Sequence, residues 1–523
     1  MKRTHASIGS LGPSTETSGK SSIHWFRKGL RLHDNPALLA SIEFAKTRGG
    51  AVFPVFCLDV GYYVSPVVVG PNRMAFLLEC LRDLHQSLRQ RGSRLFVLRG
   101  DPTVLLPACA SRWGVGHLSF EADFEPYART RDARVTSEMC VAGLVVQSFS
   151  SHTLYDPDLV RTKLDGGQAF PKTYRSFLKL LQALGAPDRP VEAPESVPSG
   201  EHPPSCSSDE FRVPGLDEIG YSGAPTTTLF CGGETKALER MRTKLRDVEF
   251  IRSFSKPATS PCSLVPSTTL LSPHLKFGAL SPRLFFHSLC DTLSVSHMPV
   301  HPPESLLGQL SWREFFTMSS IFVPNFDRIQ GNPICRQIIW DAPDPALLQR
   351  WKEGRTGFPW IDSLMRQLAK EGWMHHLGRH CVACFLTRGD LWQSWEEGKR
   401  WFDVALVDAD WALNAANWMW VSCSAFFHQF SRVYSPTAFP KKYPDSPDFI
   451  RHWVPELRSF PTCHIFEPWL APLSVQRASH CIIGVEYPAP MVDHAAVMAT
   501  NKTKLAQFFP SNETTTKQTT TSS

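Results

Sequence analysis

The sequence predicts an α/β domain followed by an all-α domain, on three observations. The chain has 523 residues, and single hydrophobic cores stop growing at roughly 250–300 residues, so two domains are the default. Through the first 150 or so residues, short apolar runs alternate with amphipathic helical patterns, the signature of βαβ units and a parallel sheet. From about residue 232 to 500 the periodicity is mostly helical, and 13 of the 15 tryptophans fall after residue 300.

Residues 1–20 are rich in Ser, Thr and Gly without an apolar period and read as a disordered tail. Ile23–Phe26, closed by Arg27-Lys28-Gly29, reads as a first strand. Ala51–Leu58 and Arg94–Leu98 read as two more, and Leu144–Phe149 as a further one. A helix over Asn72–Arg89 shows an apolar stripe at Phe76, Leu77, Leu81, Leu84 and Leu88. Residues 21–150 therefore form a doubly wound parallel sheet. No G-x-G-x-x-G follows the first strand, so no nicotinamide cofactor is placed here. Residues 151–231 are linker and connecting helices. Within them, 187–225 holds eight prolines among Ser, Gly and acids, a linker or long surface loop rather than a packed element. The helical domain, 232–500, opens with Gly233–Phe254, apolar at Leu238, Met241, Leu245 and Val248. Residues 501–523 end in a Thr/Ser tail that reads as disordered.

Composition bounds the function. No run of about 18 apolar residues exists, so no membrane span is expected. Fourteen scattered cysteines without a secretory signal fit reduced thiols inside a cell. Net charge is +6 and the pI about 8.6, compatible with nucleic acid without demanding it. The tryptophan surplus suggests a flat aromatic ligand, base stacking or a redox relay, against the plainer reading of aromatic core filler.

Thr268-Thr269-Leu270-Leu271-Ser272-Pro273 precedes the apolar segment Leu275–Leu289. Hydroxyls there cap a helix, and the same arrangement binds phosphate. Lys256 on the preceding segment adds charge to a bound diphosphate or to DNA. In Gln309–Phe316, Trp312 and Phe316 share a helical face, by periodicity a core feature. In Glu371–His380, His376 and His380 lie on one face at i, i+4. Leu377 replaces the zincin glutamate, and Cys381 and Cys384 have no second pair at zinc-ribbon spacing, so no metal site is assigned. A histidine pair on one face can instead move protons near neutral pH. Asp410, Asn414 and Trp418 share a face, and Asp408 and Asp410 can hold a ribose, cap the helix or neutralise Arg379. Trp340, Trp392, Trp395 and Trp418 are either four core indoles or a line of electron carriers.

Taken together, Ser22–Leu38, Thr268–Gly278, Gln309–Phe316, Gly372–Trp395, Asp408–Trp420 and Gly484–His494 resemble the photolyase/cryptochrome family over about residues 22–500. The His-His-x-x-x-His stretch places the resemblance with (6-4) photolyases and animal-type cryptochromes; cyclobutane-dimer photolyases typically carry Asn and Met at the positions of His376 and His380. The resemblance implies an N-terminal α/β domain, a long linker and a helical domain holding U-shaped FAD. It implies Lys256, Thr268, Thr269, Leu271 and Ser272 at the diphosphate. Gln309, Trp312 and His376 would lie near the flavin and lesion pocket, Arg379 would pair with Asp408, and Asp408 and Asp410 would lie around the flavin ring. Asn414 would face flavin N5. Trp418, Trp395 and Trp340 would form an electron-transfer triad from flavin to surface, with Trp392 as a fourth, outer member. Two departures lie near the flavin: Gly378 where Ala is common, and Ala416-Asn417 where Gly-Ser is common.

The implied activity is light-driven repair of (6-4) photoproducts in damaged DNA, with His376 and His380 as the catalytic proton carriers and Lys256, Gln309, Trp312, Trp420 and Tyr434 at the lesion. The alternative is a signalling cryptochrome binding clock or transcription-regulator proteins. Signalling members usually carry a long C-terminal extension, and here the chain stops about 30 residues after the family core. The resemblance also implies an antenna of deazaflavin or folate type in the α/β domain, which no motif in the sequence marks. A monomer in the nucleus is expected. A weak transit peptide in Met1–Ser22, leading to plastid or mitochondrion, is the other reading of that segment.

Overall fold

In the computed structural model, residues 19–59, 68–164, 169–199, 211–221, 229–427, 429 and 431–509 are described. Of the tails expected at residues 1–20 and 501–523, residues 1–18 and 510–523 lie outside them, as does part of the proline-rich linker. Residues 501–506 are not tail but the last turns of a helix that begins at His494. The N-terminal domain alternates β1 (Ser21–Phe26), α1 (Pro36–Arg48), β2 (Val52–Leu58), α2 (Pro71–Arg89), β3 (Phe96–Arg99), α3 (Pro102–Arg112), β4 (Val115–Glu121), α4 (Pro126–Val141) and β5 (Val145–Phe149). All pairings are parallel, in the order β3-β2-β1-β4-β5, the doubly wound sheet the sequence predicts. Each of α1 to α4 starts with a proline in its first turn, where the missing N–H costs nothing and φ is already helical.

Strand β4 is absent from the sequence reading, and its polar residues explain why. His117 and Ser119 interrupt its apolar run, yet both are buried. His117 Nδ1 lies 2.7 Å from the Ser22 hydroxyl and Nε2 3.1 Å from Gln147. Ser119 Oγ lies 2.9 Å from His24 Nδ1 and donates to Ala37 O at 2.6 Å. A closed polar network thus satisfies a central strand that hydropathy alone cannot recognise.

Next come α5 (Pro157–Leu164) and α6 (Tyr174–Leu184). The described part of the proline-rich segment then packs back onto the sheet domain instead of spacing it from the next. Asp34 N donates to Val191 O (2.8 Å), Val52 N to Pro198 O (2.8 Å) and Val197 N to Arg91 O (2.9 Å). Proline lacks a donor, but the carbonyls of such a strap still accept from free N–H groups of the domain.

The helical domain comprises α7 (Glu234–Arg246), α8 (Val248–Ser253), α9 (Ser272–Phe277), α10 (Pro282–Leu293), α11 (Leu306–Phe322), α12 (Pro345–Lys352), α13 (Pro359–Glu371), α14 (His376–Cys384), a π-helical turn at Phe385–Gly389, α15 (Trp395–Ala405), α16 (Trp411–Val421), α17 (Ser446–Trp453), α18 (Leu473–Ala478) and α19 (His494–Ala506). The apolar segment Leu275–Leu289 is broken between α9 and α10 at Gly278, whose φ is +66°. A Cβ there would overlap the backbone nitrogen of Gly29, so the domains meet backbone to backbone.

That seam is dense in buried polar contacts. Glu234 accepts from Leu32 N and His33 N, both at 2.9 Å, and pairs with the His33 ring. Arg283 pairs with Asp34 at 2.6 Å, and Arg31 donates to Gly278 O at 2.9 Å. Glu314 on α11 accepts from Leu154 N and Tyr155 N, both at 3.0 Å. One apolar core runs from Phe26 and Val52 of the sheet through to Trp418 of α16. A second, smaller core covers the other face of the sheet. Among the described residues, no helix is long and apolar enough to cross a membrane.

Candidate functional site in the helical domain

A cavity of about 320 Å³ lies among α9, α11, α14 and α16. Lys256, Thr268, Thr269, Leu271, Ser272, Gln309, His376, Arg379, His380, Asp408, Asp410, Asn414 and Trp418 all line it. Residues spread over more than 160 positions of sequence are thus brought to one wall. Trp312 is not on the cavity lining. Its indole stacks flat on Tyr174 (3.7 Å between centroids, 6° between planes) and meets Trp420 edge-on at 5.3 Å. Trp312 and Phe316 do share a face, their rings 5.5 Å apart.

The hydroxyls of Thr268–Ser272 do not cap α9. Its N-cap is Leu271, with no side-chain cap bond. Ser272 Oγ instead donates to Asp408 Oδ2 at 2.7 Å, because a carboxylate is the stronger acceptor. Arg379 Nη2 donates to the same oxygen at 2.9 Å, while Asp408 Oδ1 is buried with no protein partner. Asp410 caps α16, accepting from Ala412 N and Leu413 N at 3.1 Å each. Of the roles open to the two carboxylates, Asp408 thus neutralises Arg379 and Asp410 caps a helix. Asn414 Nδ2 donates to Lys399 O (3.1 Å) and Asp403 Oδ1 (2.7 Å), which fixes the plane of its amide.

Among the described residues Lys256 makes no ion pair; burial, helped by Arg379, pushes its ammonium down to about 8. Lys276, which sequence reasoning did not single out, lines the same cavity and is pushed down to about 7, by burial first and then by Arg73. Its place inside an apolar segment was the available signal. Arg313 was also missed. It lines the cavity and donates to His152 O at 2.9 Å and to His152 Nε2 at 2.8 Å. Unpaired buried ammonium groups call for an anion, and an orphaned buried carboxylate oxygen calls for a donor. A dinucleotide, with a diphosphate and ribose hydroxyls, supplies both, so the residues present fit FAD.

His376 and His380 sit on one face of α14, rings 6.2 Å apart and perpendicular. Burial, then Lys256, holds both rings neutral, with His380 pushed down to about 3. His380 Nδ1 lies 3.2 Å from the Tyr434 hydroxyl. Gly378, between them, packs tightly: a Cβ there would stand 2.6 Å from Leu364 Cδ2 and 2.9 Å from Met374 Cγ.

Trp418 faces the cavity and touches Phe402 (5.0 Å) and Trp351 (6.3 Å). A side chain at Gly398 would overlap its ring. Trp395 is fully buried at the start of α15, which packs on α16. Trp340 and Trp392 touch at 5.0 Å. Trp392 is buried, donates Nε1–H to Ile339 O at 3.0 Å and lies 5.1 Å beneath the Lys504 ammonium.

Residues 22–196 match the family described as DNA photolyase, and residues 306–507 match the FAD binding domain of DNA photolyase. Cryptochrome-1 of Sylvia borin is 47% identical over 496 residues, covering 94% of this chain and 78% of that relative. The chain belongs to the photolyase/cryptochrome family. FAD is the cofactor of this photolyase/cryptochrome protein. The (6-4)DNA photolyase of Oryza sativa subsp. japonica is 46% identical over 521 residues, 95% of this chain and 92% of its own. A bacterial class III photolyase from Agrobacterium tumefaciens superposes with TM-score 0.76 at 29% identity, covering 96% of this chain and 99% of its own. An archaeal photolyase from Sulfolobus tokodaii, solved with two FAD molecules, gives TM-score 0.73 at 25% identity over 93% and 100% of the two chains. The fold of this family member is therefore the family's fold, and its relatives include both cryptochromes and a repair enzyme.

Proposed function

We propose that this protein is a light-driven (6-4) photolyase, restoring two pyrimidines from a pyrimidine–pyrimidone (6-4) photoproduct in DNA. The observation that supports this most is the pair His376 and His380, on one helical face and lining the same cavity as Lys256, Arg379 and Asn414. Lys256, Thr268, Thr269, Leu271 and Ser272 would hold the FAD diphosphate, the Arg379–Asp408 pair and Asp410 would lie beside its flavin, and Asn414 would face it. Bound in its reduced form, FAD would supply one electron to the lesion under blue or near-ultraviolet light and take it back afterwards, with no net redox change.

The chain's own residues do the rest. The lesion must be flipped out of the duplex, and damage lowers the cost of flipping to a few kcal/mol. Lys256, Gln309, Trp312, Trp420 and Tyr434 receive it. His376 delivers a proton to it, while His380, held by Tyr434, supports the neighbouring ring. Both rings are neutral in the protein alone. A phosphodiester and a reduced cofactor bring negative charge beside them, which raises a histidine back toward the range where it holds a proton. Trp418, Trp395, Trp340 and Trp392 carry electrons between the cavity and the surface.

A second reading, a blue-light photoreceptor acting on clock or transcription-regulator proteins, is supported by the Cryptochrome-1 relatives, 47% identical against 46% for the rice photolyase. Both roles can reside in one chain. DNA repair places the protein in the nucleus, with plastid or mitochondrion as the other compartments that hold DNA. An antenna chromophore of deazaflavin or folate type belongs, on this reading, to the α/β domain.

The test is repair of an oligonucleotide carrying one (6-4) photoproduct by purified, photoreduced protein, with and without blue light. Restoration in light alone supports photolyase activity. No restoration by protein that holds photoreducible FAD supports the photoreceptor and overturns the repair assignment.

A further inference from the structure

His375 immediately precedes α14 and is buried. Its Nδ1 accepts the backbone N–H of Leu377 at 3.3 Å, capping the helix that carries His376, Arg379 and His380. Because a backbone N–H can only donate, Nδ1 must be the unprotonated nitrogen, and Nε2 carries the hydrogen. Nε2 lies 2.8 Å from the hydroxyl of Thr259, 116 residues away in sequence. That hydroxyl donates its single proton to Lys256 O at 2.8 Å, so toward His375 it must accept. Both ends of the arrangement demand the same tautomer. Lys256 is held on its other side as well, its N–H donating to Glu304 O at 3.1 Å. Both backbone groups of Lys256 are thereby fixed, leaving its ammonium to enter the cavity.

We infer that His375 is a positioning residue, which caps α14 with one ring nitrogen and, through Thr259 with the other, fixes the Lys256 backbone so that its ammonium is registered against His376 and Arg379. This deepens the assigned site and rests on Lys256 serving bound FAD. A serine cap has no second polar atom to pass on, whereas the imidazole of His375 caps with Nδ1 and still presents a donor on its far side. Burial and the cations Arg379 and Lys256 push His375 down to about 3, so the neutral ring this geometry needs persists through the physiological range.

The experiment is titration of FAD into deflavinated full-length protein, for wild type and for the variants K256A, T259V, T259S, H375S and K256A/T259V. T259V keeps the shape of threonine without the hydroxyl, and H375S keeps a helix cap without the second nitrogen. Loss of the bond between His375 and Thr259 predicts about tenfold weaker FAD binding in H375S, and T259V, which also loses the bond to Lys256 O, binds at least as weakly. T259S, with its hydroxyl restored, stays within about twofold of wild type. The double variant binds no more weakly than K256A, because Thr259 acts only through Lys256. Wild-type binding by T259V, or losses in K256A/T259V that add in full, would overturn the relay while leaving Lys256 in the site. Wild-type binding by K256A would instead remove Lys256 from the FAD site, and the inference with it.

Discussion

The hydroxyl of Tyr434 lies 3.2 Å from Nδ1 of His380, and burial raises the phenol above its ordinary range. The phenol therefore keeps its proton, and its hydroxyl bonds the neutral His380 ring whichever of the two ring nitrogens carries the hydrogen. Removing the proton carrier itself, in His376→Ala, abolishes light-driven repair, a loss of at least about 10²-fold as expected of a general acid. Yellow FAD remains bound. Tyr434→Phe, which removes this bond but keeps an aromatic ring at position 434, reduces repair by about tenfold, the scale of one lost hydrogen bond. Single-turnover repair beside an absorption spectrum of bound FAD checks both, and undiminished repair by His376→Ala would take that residue out of the mechanism.

Acid should destabilise the protein before it reaches the carboxylate range. Burial is the main cause that pushes His24, His274, His375 and His380 each down to about 3 from an ordinary 6.5. Their unfolded counterparts bind protons that the folded rings refuse. The stability they contribute is present above pH 6.5 and is lost progressively as pH falls from there toward 3. Glu314 opposes this: burial raises it to about 7, so its contribution is present below its unfolded value of 4.5 and is lost as pH rises to 7. Burial raises Asp362, Glu371 and Asp390 as well. Against these four carboxylates burial lowers ten histidines, the four above with His85, His117, His152, His287, His301 and His376, so the net trend is a falling Tm between pH 6.5 and 4.5. Thermal unfolding across that range measures it, and a flat or rising Tm on acidification would contradict the assignment of neutral buried rings.

Gly378 looks like a defect, since glycine within a helix costs about 1 kcal/mol against alanine. The contacts a Cβ would make, 2.6 Å from Leu364 and 2.9 Å from Met374, outweigh that gain, because overpacking costs about 1–3 kcal/mol. Gly378→Ala should therefore lower Tm, and adding Leu364→Ala should cost less than the sum of the two single changes, because the second removes the side chain the first collides with. Chemical denaturation of the three variants decides it; a more stable Gly378→Ala would show that the two side chains yield freely.

Trp418 is the one tryptophan of the proposed chain of four whose ring lines the cavity. Trp418→Phe should suppress light-driven reduction of oxidised FAD by external thiol. Repair by chemically reduced protein should survive, because that step does not draw on the tryptophans. Trp392→Phe, at the far end and beneath Lys504, should slow photoreduction by less. Absorbance of the flavin during illumination reads both, and normal photoreduction in Trp418→Phe would exclude it as the entry point.

What was legible in the sequence is what is local. The cavity wall is assembled from short contiguous strings such as Thr268–Ser272 and Asp408–Trp418, and helical spacing correctly placed His376 with His380 and Asp410 with Asn414. What depends on distant partners was not legible. Ser272 reads as a cap until Asp408, 136 residues on, is brought within 2.7 Å. Strand β4 hides because His117 and Ser119 find buried partners on neighbouring elements. His375 stood in view beside His376, but its second nitrogen has meaning only against Thr259. The proline-rich strap reads as a spacer because composition reports missing donors and says nothing of carbonyls that still accept.

The contact of Gly278 with Gly29 carries a consequence for how such a chain can change. Where two backbones touch, no side chain can be added, no residue inserted and no angle altered without parting the Glu234, Arg283 and Glu314 attachments around them. The two halves are thus not interchangeable parts. A half taken from a relative would have to bring both glycines and matching partners for those three residues, so inheritance can vary the halves only together along this line, and freely only away from it.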